Sequence, residues 1–312
     1  MMNINNQEIC FVFAIDDKYF EQFRVFIFSL HTHNNWISDN NFFVLFSSST
    51  LSLNNREKLK LECRERYLLE LEWISCDDYI SNTLKISSSD HVSVSTYFRL
   101  FLQELIPNNF SYALYLDIDI LVVGDILNLY SKKIEKPIAA VENYAASEAI
   151  RLWGAKGGSY FNAGVLYFNL SLCRSLNLTQ KYFEVLNNKN IKLNCWDQDV
   201  LNIVHENNWE RLEYYFNITR HLLESFQIVN LNFFKKIEKN KFKIIHYDGP
   251  NKPWSKYSSG HYDYWWNLYY YKLHKKKHSS DKHMFNYLNY LILFLKSLNK
   301  IRILNKLISA GK

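Results

Sequence analysis

Glycine is scarce in this chain. Its 312 residues hold eight, the first at Gly124, so no G-x-G-x-x-G follows an early strand and no G-K-[ST] loop exists. If the protein binds a nucleotide diphosphate, a glycine nest cannot neutralise it in the usual place, and a metal ion has to do that work. Cysteine is equally unhelpful: Cys10, Cys63, Cys76, Cys173 and Cys195 form an odd set without a C-x-x-C pair. That excludes a disulfide framework and a cysteine zinc site, and makes the five reduced packing residues. Long apolar runs are missing too. The longest near the end, Tyr290 to Leu295, is far too short to cross a bilayer, and Met1 to Glu8 lacks the basic and apolar segments of a secretory signal. The expectation is a protein made and kept in the cytoplasm.

What is present suits a folded catalytic body. Hydrophobic residues make up 48% and charged residues 22% of the chain, the balance of a globular protein with a sizeable core. The net charge of +6 is unevenly placed: Lys272 to Lys312 carries ten Lys/Arg and one acid, which leaves 37−10 = 27 basic and 31−1 = 30 acidic residues in the first 271. The body is slightly acidic, which argues against nucleic acid as a partner. In the tail, Leu291, Phe294, Leu298, Ile301, Leu304 and Ile308 recur at helical spacing with Lys296, Lys300, Arg302 and Lys306 between them. That pattern fits peripheral attachment to an anionic membrane surface, with a helix packed on the body as the alternative. The expected organisation is a catalytic domain over 1–271 and a basic amphipathic tail over 272–312.

Strand and helix signals alternate. Ile9 to Ala14, Phe42 to Phe46, Leu69 to Ile74, Tyr112 to Leu116, Ile138 to Val141, Gly164 to Phe168 and Phe242 to Ile245 read as strands. Helices are expected from Phe20 to Leu30 and over Ser52 to Tyr67, Thr96 to Leu105 and Gln198 to His205. This order predicts an α/β fold with a mostly parallel sheet flanked by helices.

Chemistry-bearing residues gather after strands. Asp117-Ile118-Asp119 follows Tyr115-Leu116, and extended-chain alternation would put both carboxylates on one side. Two hard oxygen ligands at the carboxyl edge of a sheet suit Mg2+ or Mn2+ bridging phosphates. A second D-x-D, Asp197-Gln198-Asp199, occurs in the same chain, so the pattern alone does not separate a metal site from a solvated turn. His246 closes an apolar run and opens His246-Tyr247-Asp248-Gly249-Pro250-Asn251-Lys252-Pro253-Trp254, which contains two of the four prolines. Such a rigid turn presents an imidazole, an unhindered Gly249 backbone and the Lys252 ammonium to one anion, or it is a structural turn with a hydrogen-bonded histidine. Asp16 lies after the first strand, and Tyr19 three residues on stacks on a base, or the two are a helix N-cap with a packed ring. Arg99 reads as a surface ion pair, and Asn162 as a sugar reader or a turn cap.

Taken in order, D-D-x-Y, S-x-x-T-Y-x-R-L, Y-L-D-I-D-x-L-V, Y-F-N-A-G-V, D-Q-D and H-Y-x-G-P-x-K-P-W resemble glycosyltransferase family 8 over Ile9 to Trp254. Within it, the likeness is to bacterial lipooligosaccharide and lipopolysaccharide galactosyl- and glucosyltransferases. The resemblance implies a GT-A fold, a UDP-hexose donor, Mn2+ and retention of the anomeric configuration, with a glycan or glycolipid acceptor. It implies Asp117, Asp119 and His246 as metal ligands, and Gly249 with Lys252 at the β-phosphate. Ala14, Asp16, Tyr19 and Ile118 would line the uridine with Arg99 nearby, and Asn162, Asp197 and Gln198 would face the sugar. Lys18 stands where relatives often have Asn, and Glu142 where some carry Asp near sugar and acceptor. A neutral Gln198 is a poor nucleophile, which favours attack from the face that UDP leaves. The rival readings are a metal-dependent nucleotidyltransferase, which would release pyrophosphate, and a non-catalytic carbohydrate- or membrane-binding protein.

Overall fold

A computed structural model describes residues 8–79, 94–143, 146, 159–219, 242–255 and 263–276. The chain divides into two compact units, Met1–His246 and Tyr247–Lys312. The amphipathic stretch expected from Leu291 to Ile308 lies outside the described residues.

In the first unit, β1 (Ile9–Ala14) is buried along its whole length. Its side chains alternate between two cores: Ile9, Phe11 and Phe13 enter one, Cys10, Val12 and Ala14 the other. A strand covered on both faces has no position for a polar residue, which is why the sequence shows an unbroken apolar run. β2 (Asn41–Phe46), β3 (Leu71–Ser75), β4 (Tyr112–Leu116) and the short β8 (Glu210–Arg211) belong to the same sheet, whose seven strands run β3-β2-β1-β4-β7-β6-β8. The pairs β3–β2, β2–β1, β1–β4 and β6–β8 are parallel. β7 (Phe161–Asn169) lies antiparallel between β4 and β6 (Ile138–Glu142). The mostly parallel α/β sheet expected from the element order is thus present, with one reversed strand that alternation did not signal.

Helices cover both faces. α1 (Phe20–His33) buries Phe23, Phe26, Ile27 and Leu30 against the first core. α2 (Leu53–Tyr67) starts where the Ser52 hydroxyl accepts from Asn55 N, satisfying an orphan donor of the first turn. Thr96 to Leu105 is not one α-helix: Val94–Phe101 winds as a 3-10 segment before the short α3 (Leu102–Leu105). Within it the Thr96 carbonyl accepts from Arg99 Nε at 3.0 Å, so a side chain takes a carbonyl that a regular helix would use. After the short α4 (Leu127–Tyr130) and α5 (Leu170–Ser175), α6 (Leu178–Asn187) and α7 (Trp196–Val204) pack together on the other face.

A second, three-stranded sheet, β5 (Ile120–Val122), β10 (Ile244–His246) and β9 (Ile218–Thr219), branches off directly after β4. All five cysteines are free, four of them buried and Cys195 exposed. The second unit contains a helix over Asp263–His274 that runs across Tyr271, and a ring series Tyr247–Trp254–Trp266–Tyr270. Among the described residues no helix is long and apolar enough to cross a membrane.

One buried group makes the fold acid-sensitive. His205, just beyond α7, is 1% exposed, with Nε2 2.6 Å from the Tyr182 hydroxyl. Burial, with Lys181 adding to it, pushes its pKa down from 6.5 to about 4. The unfolded chain therefore binds this proton first as pH falls, and stability drops between about 6.5 and about 4. The loss is on the order of 3 kcal/mol at full effect. Urea titrations of wild type and His205→Gln across that window should give a shallower pH slope in the variant; equal slopes would show that His205 is not the group.

Candidate functional site

β4 ends at Leu116, and the chain turns through Asp117, Ile118 and Asp119 into β5. Extended-chain alternation is therefore not what aligns the two carboxylates. A turn does so, anchored by Ile118, which is buried in the first core. Asp117 is held from behind: its N–H donates to Gly164 O at 2.9 Å, and the Tyr115 hydroxyl donates to Oδ1 at 2.9 Å.

His246 arrives from far down the chain. β10 pairs antiparallel with β5, with His246 opposite Ile120, so the imidazole stands one residue from Asp119. Its Nε2 lies 3.2 Å from Asp119 Oδ1, and one ligand atom from each of Asp117, Asp119 and His246 falls within 4.8 Å of the others. The ring rests on Gly164 of β7: a Cβ there would meet Cε1 at 2.2 Å and Nδ1 at 2.6 Å. Glycine is required at this position for space. Behind the ring, Nδ1 is 3.0 Å from Asn217 Oδ1, and Asn217 Nδ2 donates to Asn162 Oδ1 at 2.8 Å.

Arg99 is the centre of the buried electrostatics. Its guanidinium donates to Asp117 Oδ2 through Nη1 at 3.1 Å, and it is ion-paired on two sides, with Nη2 3.0 Å from Asp117 Oδ1 and Nε 3.0 Å from Asp197 Oδ2, while the Nε–H itself goes to Thr96 O. Nη1 also reaches Ala163 O at 2.5 Å, and the group lies 4.8 Å over the Tyr115 ring. A surface ion pair was one reading of this arginine; at 5% exposure it is instead a buried clamp on two carboxylates. Burial pushes the Asp117 carboxyl up, with Arg99 pulling it back and Asp119 adding to the rise. Burial likewise pushes Asp197 up to about 7 against the pull of Arg99.

On α7, Gln198 Oε1 accepts from Ala163 N at 2.9 Å and its Nε2 donates to the Tyr160 hydroxyl at 3.1 Å. Tyr160 in turn donates to Asp199 Oδ1 at 2.5 Å, and Asp199 Oδ2 accepts from Asn194 N and Cys195 N at 2.6 and 2.7 Å. The D-Q-D motif thus divides its labour: Asp197 pairs with Arg99, Gln198 is held against β7, and Asp199 ties down the preceding turn. The helix then opens on Trp196, an exposed ring held at φ 48°.

Asp16 leaves the end of β1, next to Ala14, at 4% exposure, and its Oδ1 has no hydrogen-bond partner among the described residues. It does not cap the following 3-10 turn through its side chain. Burial raises the Tyr19 phenol, and the charges of Asp119, Asp16 and Asp117 add to the rise. Glu142, at the end of β6, is paired with Arg211 Nε at 2.8 Å. Gly249 and Lys252 belong to the second unit. Gly249 has φ 77°, in the left-handed region that glycine tolerates, and Lys252 Nζ donates to Tyr247 O at 2.7 Å. The segment before Val94, including His91 to Ser93, lies outside the described residues.

A divalent cation fits the first unit's donor set. Two carboxylates and an imidazole converge, the ring is seated in a cradle only glycine leaves open, and the Arg99 guanidinium pairs with Asp117 and Asp197 beside them.

Residues 10–258 match the family model of glycosyl transferase family 8. The chain belongs to that family. Among its relatives is a lipopolysaccharide 1,2-glucosyltransferase of Escherichia coli, 31% identical over 186 residues, which cover 56% of this chain and 54% of the relative. The match thus spans about half of that protein's length. A putative glycosyltransferase of Haemophilus influenzae is 29% identical over 265 residues, 80% of this chain and 74% of its own. The crystal structure of the galactosyltransferase LgtC with donor and acceptor sugar analogs superposes with TM-score 0.70 at 25% identity, covering 85% of this chain and 96% of that one. Family 8 membership and this superposition make the sheet a GT-A fold and the chain a glycosyltransferase. GT-A glycosyltransferases use a divalent metal and a nucleotide sugar, and Asp117, Asp119 and His246 are a group that could hold such a metal.

Gly164 and Asn217 carried no site signal of their own in the sequence. Gly164 stood inside Y-F-N-A-G-V, where attention falls on the amide, and Asn217 is an asparagine in a featureless turn. Gly164→Ala should keep the fold, since overpacking costs about 1–3 kcal/mol, yet displace the imidazole. Mn2+ binding followed by EPR should weaken by on the order of 10-fold or more; undiminished binding would show that the ring does not need this cradle.

Proposed function

We propose that this glycosyltransferase moves a hexose, galactose or glucose, from a UDP-sugar to a glycan or glycolipid acceptor with retention, in lipopolysaccharide or lipooligosaccharide synthesis. The observation that carries the reading is the convergence of Asp117, Asp119 and His246 beside the Arg99–Asp197 clamp. The names of the Escherichia coli glucosyltransferase and of the LgtC complex support the sugar and acceptor class.

Asp117, Asp119 and His246 would hold Mn2+, with Mg2+ as the alternative; when bound, the ion supplies positive charge to the departing diphosphate. Asp16, with a buried carboxylate oxygen to offer, receives the nucleoside with Tyr19, Ala14 and Ile118, and Arg99 orders the carboxylates around it. Asn162, Asp197 and Glu142 contact sugar hydroxyls. The acceptor oxygen bonds to the anomeric carbon on the face that UDP leaves, the bond to the β-phosphate oxygen breaks with its electron pair, and the acceptor proton passes to that oxygen. Gln198, held at both ends of its amide by Ala163 N and the Tyr160 hydroxyl, would use the remaining lone pair of its carbonyl oxygen to stabilise the positive charge that develops on the sugar.

Nucleotidyl transfer uses similar metal ligands but releases pyrophosphate. A panel of nucleotide sugars with Mn2+ should give UDP release with a UDP-hexose, lost in EDTA and lowered on the order of 10²-fold or more in Asp117→Asn or Asp119→Asn. Full turnover in EDTA, or pyrophosphate as product, would sink the reading. Gln198→Ala should lower turnover by roughly 10 to 10³-fold with little change in donor binding, and NMR of the product should show a retained anomeric centre.

The basic segment from Lys272 onward would place the enzyme on the inner face of the cell membrane, at the acceptor, from the cytoplasm. Co-sedimentation with anionic vesicles should occur in low salt and reverse in high salt. A chain that ignores such vesicles at low salt would show that the tail is no anchor.

A further inference from the structure

We infer that Asn217 is a positioning residue that fixes which nitrogen of His246 carries the proton. The inference rests on the metal reading above only for its consequence; the assignment itself comes from hydrogen-bond polarity.

Asparagine and histidine orientations are usually ambiguous, because amide O and N look alike and either imidazole nitrogen can be protonated. Here one backbone group removes the ambiguity. Gly164 N–H, which can only donate, points at Asn162 Oδ1 at 2.9 Å, so the atom in that position must be the oxygen. Asn217 approaches the same oxygen at 2.8 Å and must therefore present its Nδ2. The other end of that amide, Oδ1, can only accept, and it lies 3.0 Å from His246 Nδ1. Nδ1 consequently bears hydrogen, and the Nε2 lone pair of a neutral ring is turned toward Asp119 Oδ1, 3.2 Å away.

The geometry around Asn217 supports a fixed device. Asn217 is 1% exposed, its N–H donates to Tyr214 O at 3.1 Å, and Asn162 is 6% exposed. A buried amide with both ends engaged has no water to exchange for its partners, so rotating it would break two hydrogen bonds at once. Gly164 contributes twice to this relay, giving the N–H that sets its polarity and the space in which the ring lies. The Y-F-N-A-G-V motif thereby acquires a second role: Asn162 and Gly164 orient a histidine that lies on another sheet. A histidine ligand works only through a nitrogen without a proton, and a partner on the opposite nitrogen chooses which one that is.

Full-length protein labelled with 15N-histidine tests this directly. In metal-free wild type in mildly alkaline buffer, His246, assigned by its loss in His246→Gln, should show the Nδ1–H form. Asn217→Asp keeps an acceptor for Nδ1–H and should keep that form. Asn217→Leu removes the acceptor and should give a mixture or the Nε2–H form, with Mn2+ affinity by EPR falling about 10 to 100-fold in a protein whose circular dichroism is unchanged. An Nε2–H ring in wild type would overturn the assignment, whether or not the leucine variant folds. A folded Asn217→Leu with an unaltered tautomer would overturn it too. Wild type with the Nδ1–H ring but no affinity for Mn2+ would support the role of Asn217 and remove the metal reading instead.

Discussion

The site is organised around one buried guanidinium. Arg99 carries a charge that cannot be removed by deprotonation, and it is shared between Asp117, at the end of β4, and Asp197, at the start of α7. Removing one partner from such an arrangement costs about 3–5 kcal/mol, because the remaining charge is left without compensation in a dry place. The sheet, the 3-10 segment and α7 are therefore locked to one another at the point where the reacting groups lie. The same contact keeps the Asp117 carboxylate with both oxygens oriented, and sets the distance between Asp117 and Asp197.

A second constraint is steric. His246 can stand beside Asp119 only because Gly164 leaves room on β7, and the relay through Asn217 and Asn162 then decides how the ring is turned. Charge and shape act on different parts of the trio: Arg99 holds the carboxylate that leaves β4, while glycine and two amides hold the imidazole that arrives on β10. Asp119, between them, is placed by the turn that buried Ile118 anchors.

Much of this was legible before the structure. β1 and β4 have the boundaries their apolar runs predict, since a strand buried on both faces tolerates nothing polar inside it. Asp117, Asp119 and His246 each closed or followed such a run, and the ordered motifs of family 8 joined them. The reversal of β7, the 3-10 winding of Val94–Phe101 and the true setting of Arg99 were not legible. An arginine on a helical pattern reads as a surface residue, because nothing local reports that two carboxylates will be buried against it. Asp199, to which the sequence assigned no role, holds the Asn194–Cys195 backbone and the Tyr160 hydroxyl.

The sequence by itself determined which segments are buried, the α/β class, the family, and the residue types able to hold a cation and a diphosphate. These depend on local periodicity and on motifs whose spacing is short. The tertiary structure alone decided that His246 faces Asp119 through the β5–β10 pairing, that Gly164 is a seat for the imidazole, and that Arg99 bridges two carboxylates. It also decided the tautomer that Asn217 imposes. The reason is physical: strand register, buried charge pairing and hydrogen-bond polarity are relations between residues far apart in the chain, and no single residue carries a record of its partner.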